Sequence, residues 1–133
     1  MDLDVAAMNE LCKATLPQLL GLRFTEASRD RVVAELQYRE ALTTFGGSLH
    51  GGTLMAMADT VGAFATALNL PQGATTTTLE SKTNFFAAGR SGIVRAESTP
   101  LHRGRRTMVW QTRVTDESGR LLSMTIQTQM VLT

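Results

Sequence analysis

Between His50 and Glu80 the chain carries one ionisable side chain, Asp59, inside a run that is otherwise apolar or small. The stretch from Gly52 to Leu70 sets Leu54, Met55, Met57, Ala58, Val61, Phe64, Ala65 and Leu68 around nearly the whole circumference of a helix, and Pro71 and Gly73 are predicted to end it. A helix apolar on every side is normally buried on every side. The remaining sequence must supply one cover, and a second copy whatever is left. An ionised carboxylate in that setting is costly unless it is paired, hydrogen-bonded or close to water. Either Asp59 turns to solvent or a backbone amide, or it lines a cleft as a general base or nucleophile.

The flanking segments show how the cover is made. Val5, Met8 and Leu11 have the spacing of a short helix over Asp4 to Leu11, and Leu16 to Leu20 with Pro17 adds a second turn, so residues 1–20 form an N-terminal helical segment. Strand patterns cover 22–28 and 31–38, linked by Ser28-Arg29-Asp30. After a loop over 39–49 and the long helix, four more strands follow at about 75–86, 92–101, 107–115 and 121–132. The last alternates Leu122, Met124, Ile126, Thr128 and Met130 with Ser123, Thr125, Gln127 and Gln129. This order predicts one α+β domain over 1–133, an antiparallel sheet wrapped around one long central helix. A sheet covers one side only, so a symmetric homodimer is expected.

Composition narrows the function. With a net charge of +1 and 5% aromatic residues, there is no general drive toward nucleic acid and no basic stripe with interleaved aromatics. The charge is divided, a net −4 over residues 1–80 and +5 over 81–133, which fits a basic lip around an anionic ligand. Cys12 alone excludes a disulfide framework and reads as a small buried hydrophobe. His50 and His102 are far apart, so no metal site and no cofactor are expected. No apolar run approaches a membrane span, and the Met-Asp-Leu-Asp start lacks a leader pattern, so a cytoplasmic protein is expected. A Gly-x-Ser-x-Gly elbow is absent.

His50-Gly51-Gly52 directly precedes the helix. Adjacent glycines let a ligand approach the backbone, and free N–H groups at a helix start aim at developing negative charge, which is oxyanion-hole chemistry. Nine residues separate His50 from Asp59, roughly 13 Å along a helix. One reacting atom can therefore meet both ends only if they come from different chains.

The run His50-Gly51-Gly52-Thr53-Leu54-Met55-Ala56-Met57-Ala58-Asp59, followed by Thr77-Thr78-Leu79-Glu80-Ser81-Lys82-Thr83-Asn84-Phe85-Phe86, resembles the hotdog-fold acyl-CoA thioesterases of the phenylacetate-degradation and 4-hydroxybenzoyl-CoA type. The resemblance covers roughly residues 20–132. It implies a hotdog fold and hydrolysis of an aryl- or medium-chain acyl-CoA to the free acid and CoA, by a homodimer assembled into a homotetramer. Asp59 is then the nucleophile or general base, and the Gly51 N–H polarises the thioester carbonyl. His50 supports the loop or the thioester, and the hydroxyl of Thr77 or Thr78 helps hold the attacking water. Thr44 stands where the family commonly has Asn or Gln. If it cannot replace that amide, the other reading is a non-catalytic acyl-CoA or acyl-carrier binding module. Gly52, Met55, Phe64 and Phe86 would line the acyl site. Arg90, Arg103, Arg105 and Arg106 would hold the CoA phosphates.

Overall fold

The computed structural model describes residues 3–133; Met1 and Asp2 of the predicted N-terminal helical segment lie outside the described residues. Helix α1 (Val5–Leu11) begins where Asp4, in an extended conformation, accepts the Ala7 N–H at 2.8 Å. Helix α2 (Leu16–Leu20) has Pro17 in its first turn and closes at Gly21, whose φ of 81° turns its N–H back to the Gln18 carbonyl. Strands β1 (Arg23–Ala27) and β2 (Val32–Gln37) form a hairpin. On the outer edge of β1 the Asn9 amide donates to the Phe24 carbonyl at 3.1 Å and its oxygen accepts the Phe24 N–H at 2.8 Å. One side chain thus satisfies backbone groups that an edge strand would leave open.

A short turn at Glu40–Leu42 leads to α3 (Gly51–Ala67), and four strands follow: β3 (Thr75–Phe85), β4 (Ile93–Arg103), β5 (Thr107–Thr115) and β6 (Leu121–Leu132). The six strands make one sheet in the order β1-β2-β4-β5-β6-β3, every pair antiparallel. The α+β class and the sheet around a long helix are as predicted. β3 pairs with β6 along one side, and its other edge carries no strand among the described residues.

The sheet covers one stripe of α3. Leu54, Met57, Ala58, Val61 and Ala65 recur at three- and four-residue spacing and are buried against it, with Trp110 of β5 fully buried in the same core. Each large side chain buried this way contributes about 1.5–3 kcal/mol. Within one chain the opposite stripe, which includes Gly52, Met55 and Asp59, is only partly covered or exposed.

One expectation needs correction. α3 stops at Ala67, four residues before Pro71, because the Asn69 amide folds back onto the Ala65 carbonyl at 2.9 Å and also binds the Arg29 carbonyl at 2.9 Å. Leu70, preceding a proline, is disfavoured from helix in any case. In β6 the polar row faces inward: Ser123, Thr125, Gln127 and Gln129 are buried, while Ile126 and Met130 are exposed on the outer face. The amides face inward because their partners stand there. No helix among the described residues is long and apolar enough to cross a membrane.

Candidate active site

Asp59 lies in the middle of α3 and is half-buried. Its Oδ1 accepts the Thr78 hydroxyl at 2.9 Å and the Gln127 Nε2 at 3.2 Å, and the same amide reaches the Asp59 carbonyl at 3.4 Å. No hydrogen bond reaches Oδ2 from the described residues. Gln127 approaches so closely because Gly62, one helical turn on, has no side chain: a Cβ there would stand 2.2 Å from Gln127 Oε1. A carboxylate with one oxygen tied to two donors and the other open can accept a proton or attack an electrophile from a single defined side.

Of the two candidate threonines, Thr78 reaches Asp59; Thr77 alternates to the outer face, opposite the exposed Met130. The register of β3 against β6 decides this, since adjacent strand residues point to opposite sides.

At the start of α3, His50 is the N-cap, and its Nδ1 accepts the Gly52 N–H at 2.7 Å. Its carbonyl takes the N–H groups of Thr53 at 2.9 Å and Leu54 at 3.3 Å. Of the four N–H groups that open the helix, that of Gly51 is left without a partner among the described residues. The Phe85 ring packs on Gly51, with Cζ 3.1 Å from where a Cβ would be. His50 Nδ1 being an acceptor, the neutral ring carries its proton on Nε2.

The loop before His50 is built tightly. The Thr44 N–H donates to Ser48 at 2.9 Å, Tyr38 Oη donates to the Gly47 carbonyl at 2.6 Å, and Arg90 Nη1 donates to the Gly46 carbonyl at 2.6 Å. Gly46 and Gly47 have φ of 88° and 84°, which glycine adopts without strain. Thr44 is exposed, and its hydroxyl has no partner among the described residues. Phe45, at the tip, is fully exposed.

The proposed ligand-binding residues divide. Met55 lies one turn before Asp59 on the same exposed stripe, and Phe86 is exposed just beyond β3. Phe64 turns away to pack edge-on against Phe24, ring centres 4.8 Å apart, so it belongs to the core and not to an acyl site. The four arginines do not converge within the chain. Arg90 clamps the Gly46 loop beside the start of α3. Arg103, at the other end of the helix, bonds Asp30 at 2.8 Å, the Arg29 carbonyl at 3.0 Å and Asn69 at 3.4 Å. Its Nη1 is thereby engaged, while no bond reaches its Nε or Nη2 from the described residues. Arg105 and Arg106 sit exposed in the turn between β4 and β5, with no ion pair among the described residues.

Sequence reasoning missed Gln127, Phe85 and Phe45 as neighbours or outliers of this region. What distinguishes Gln127 is its neighbour on α3, which the sequence of β6 does not contain.

The family model for the thioesterase superfamily matches residues 46–123, more than half of the chain. The proofreading thioesterase EntH of Klebsiella pneumoniae is 33% identical over 119 residues, which cover 90% of this chain and 87% of that protein. The 1,4-dihydroxy-2-naphthoyl-CoA hydrolase of Escherichia coli K12 is 29% identical over 130 residues, 98% and 96% of the two chains. The crystal structure of the thioesterase HI1161 from Haemophilus influenzae superposes with a TM-score of 0.95 at 29% identity, covering 100% of this chain and 93% of that one.

Proposed function

The chain belongs to the thioesterase superfamily, with the hotdog fold, and from that premise we propose that it hydrolyses an aryl- or medium-chain acyl-CoA to the free acid and coenzyme A. The observation that carries this reading is the asymmetric carboxylate of Asp59, one oxygen taken by Thr78 and Gln127 and the other free, on the stripe of α3 that the sheet leaves uncovered. Held this way, Asp59 attacks the thioester carbon or removes a proton from the water that does. The Gly51 N–H donates to the oxyanion that develops on the carbonyl, and His50 supports it by consuming the neighbouring Gly52 N–H. Thr78, with its hydroxyl on Asp59, is the threonine of this site; Thr44 offers a hydroxyl at its rim. The CoA-thioester relative supports the substrate class. We assign the CoA phosphates to Arg105 and Arg106, whose exposed guanidinium groups suit oxyanions.

Two copies complete the site. Eight helical residues put Gly51 and Asp59 of one chain about 12 Å apart. The open edge of β3 is the natural seam. Antiparallel pairing about a two-fold axis near Ser81 sets Glu80 of one copy against Lys82 of the other and carries the Gly51 end of one α3 toward the Asp59 of the second. The apolar outer row at Ile126 and Met130 favours pairing of dimers into a tetramer. Burial pushes the Cys12 thiol up from its ordinary pKa, which suits an unpaired cysteine in a reducing cytoplasm.

Thiol release from benzoyl-, phenylacetyl- and hexanoyl-CoA tests the assignment. Asp59→Asn fills the same space but neither attacks nor takes a proton, so kcat falls at least about 10²-fold with the fold intact. Unchanged turnover removes Asp59 from the chemistry.

A further inference from the structure

Gln129 is fully buried in the middle of β6, on an inner row where an apolar side chain would leave nothing unpaired. Its amide is one member of a string that ends on Asp59. Thr76 Oγ1 lies 3.0 Å from Gln129 Oε1, Gln129 Nε2 lies 2.6 Å from Thr78 Oγ1, and Thr78 Oγ1 lies 2.9 Å from Asp59 Oδ1.

The proton order of this string follows from counting. An ionised carboxylate only accepts, and a hydroxyl has one proton. Thr78 must spend that proton on Asp59, so its close partner on the other side must be a donor. The Gln129 Nε2 meets that need, and the oxygen left over faces the Thr76 hydroxyl, whose single proton is shared between Gln129 Oε1 at 3.0 Å and the Met130 carbonyl at 2.8 Å. Turned end for end, Gln129 would present Oε1 to Thr78 and draw its proton away from Asp59.

Resting on the reading of Asp59 as the reacting carboxylate, we propose that Gln129 is a positioning residue for the hydrolysis: through Thr78 it fixes the proton order so that Oδ1 always accepts and Oδ2 is the oxygen that reacts. Gln129 touches Asp59 nowhere. It acts by deciding which way the intervening hydroxyl points, while Gln127 holds the same oxygen directly. Among the described residues the charged groups of β2 and β4, which also pack on α3, stand off its inner face: Glu35, Arg95 and Glu97 lie on the row opposite the buried side chains, and His102 and Arg103 are exposed. α3 and β6 contain no titratable group besides Asp59, and Glu80 and Lys82 of β3 and Arg113 of β5 lie on the outer face.

The test compares isosteres by ¹³C NMR titration of the Asp59 carboxyl in the full chain, alongside the pH profile of kcat/KM with benzoyl-CoA. In Gln129→Glu a carboxylate takes the Thr78 proton and also sets a like charge near Asp59, so the Asp59 titration moves up by about one pH unit or more and the acid limb of the profile moves with it; in a Thr78→Val background only the charge acts, and the same substitution moves the titration less. Gln129→Met removes the donor that holds this order without adding a charge, so the Thr78 hydroxyl turns part of the time to other acceptors and the Asp59 titration moves up by less than in the glutamate variant. Thr78→Val moves it upward and Thr78→Ser restores it, which establishes the hydroxyl through which Gln129 acts, and Gln129→Met carries the test if the glutamate variant does not fold. A titration that fails to move in Gln129→Met overturns the proposal, as does a Gln129→Glu shift that is as large in the Thr78→Val background as in the wild type. Full activity of Asp59→Asn would instead overturn the reading on which the proposal rests.

Discussion

Gly51 occupies the first position of α3, the one place in a helix where proline is favoured. His50 before it has φ −60° and ψ 139°, a conformation that residues preceding proline adopt. Gly51→Pro therefore deletes one N–H and little else, once the Phe85 ring, 3.1 Å from the Cβ position, gives by a few tenths of an ångström. The expected result is a loss of about 10²–10³ in kcat with a melting temperature close to wild type. Gly51→Ala meets the same ring but keeps the N–H, so it retains most of the activity. Equal losses in the two variants would assign the effect to the ring. Asp59 and Gly51 were readable from sequence because each is anomalous where it stands, an acid in an apolar helix and a glycine pair at a helix start. Gln127 and Phe85 were not, since what distinguishes them is a neighbour on another element. Phe64 was misjudged for the same reason: an aromatic ring shows its chemistry in sequence but not its partner.

At the scale of elements, the hairpin between β5 and β6 is held by Asp116, whose Oδ1 accepts the Ser118 hydroxyl at 2.6 Å and the N–H groups of Ser118 and Arg120, each at 3.0 Å. These bonds, the Ser118 hydroxyl foremost, hold the carboxyl below the usual aspartate range against the opposing effect of burial. A pKa lower in the folded state means that the unfolded chain binds the proton first, so the contribution is present above the ordinary aspartate value and fades as pH falls through the folded one. Asp116→Asn should be less stable than wild type in urea at pH 7, with the gap closing at about pH 3 and below. A gap that persists in acid would assign the effect to loop geometry and not to charge. The strands themselves were visible in the alternation and the turn residues, and β5 and β6 end where the pattern ends. Which row of β6 faces inward was not visible. Alternation separates two rows, and only the position of Asp59 on the facing helix and of Thr78 on the neighbouring strand makes the amide row the inner one.

For the molecule as a whole, the reading places each reaction site across two chains. Equal mixing of Asp59→Asn with Gly51→Pro, after subunit exchange, should recover about a quarter of wild-type activity, because half the dimers are mixed and each has one intact site of two. No recovery would mean that each chain works alone. The division of charge along the sequence predicts a basic lip, but folding sends Arg90 and Arg103 to opposite ends of α3, a separation that a count of charges does not contain. The free edge of β3 has a consequence for handling the protein. Its 11 residues open with four threonines, and until another copy meets them their outward N–H and C=O groups accept any extended chain. Refolding from denaturant is then a competition between one symmetric strand addition and many promiscuous ones. Very dilute chains wait too long with the edge bare, and concentrated ones meet half-folded neighbours first. The recovered yield should pass through an optimum in protein concentration instead of rising steadily with dilution.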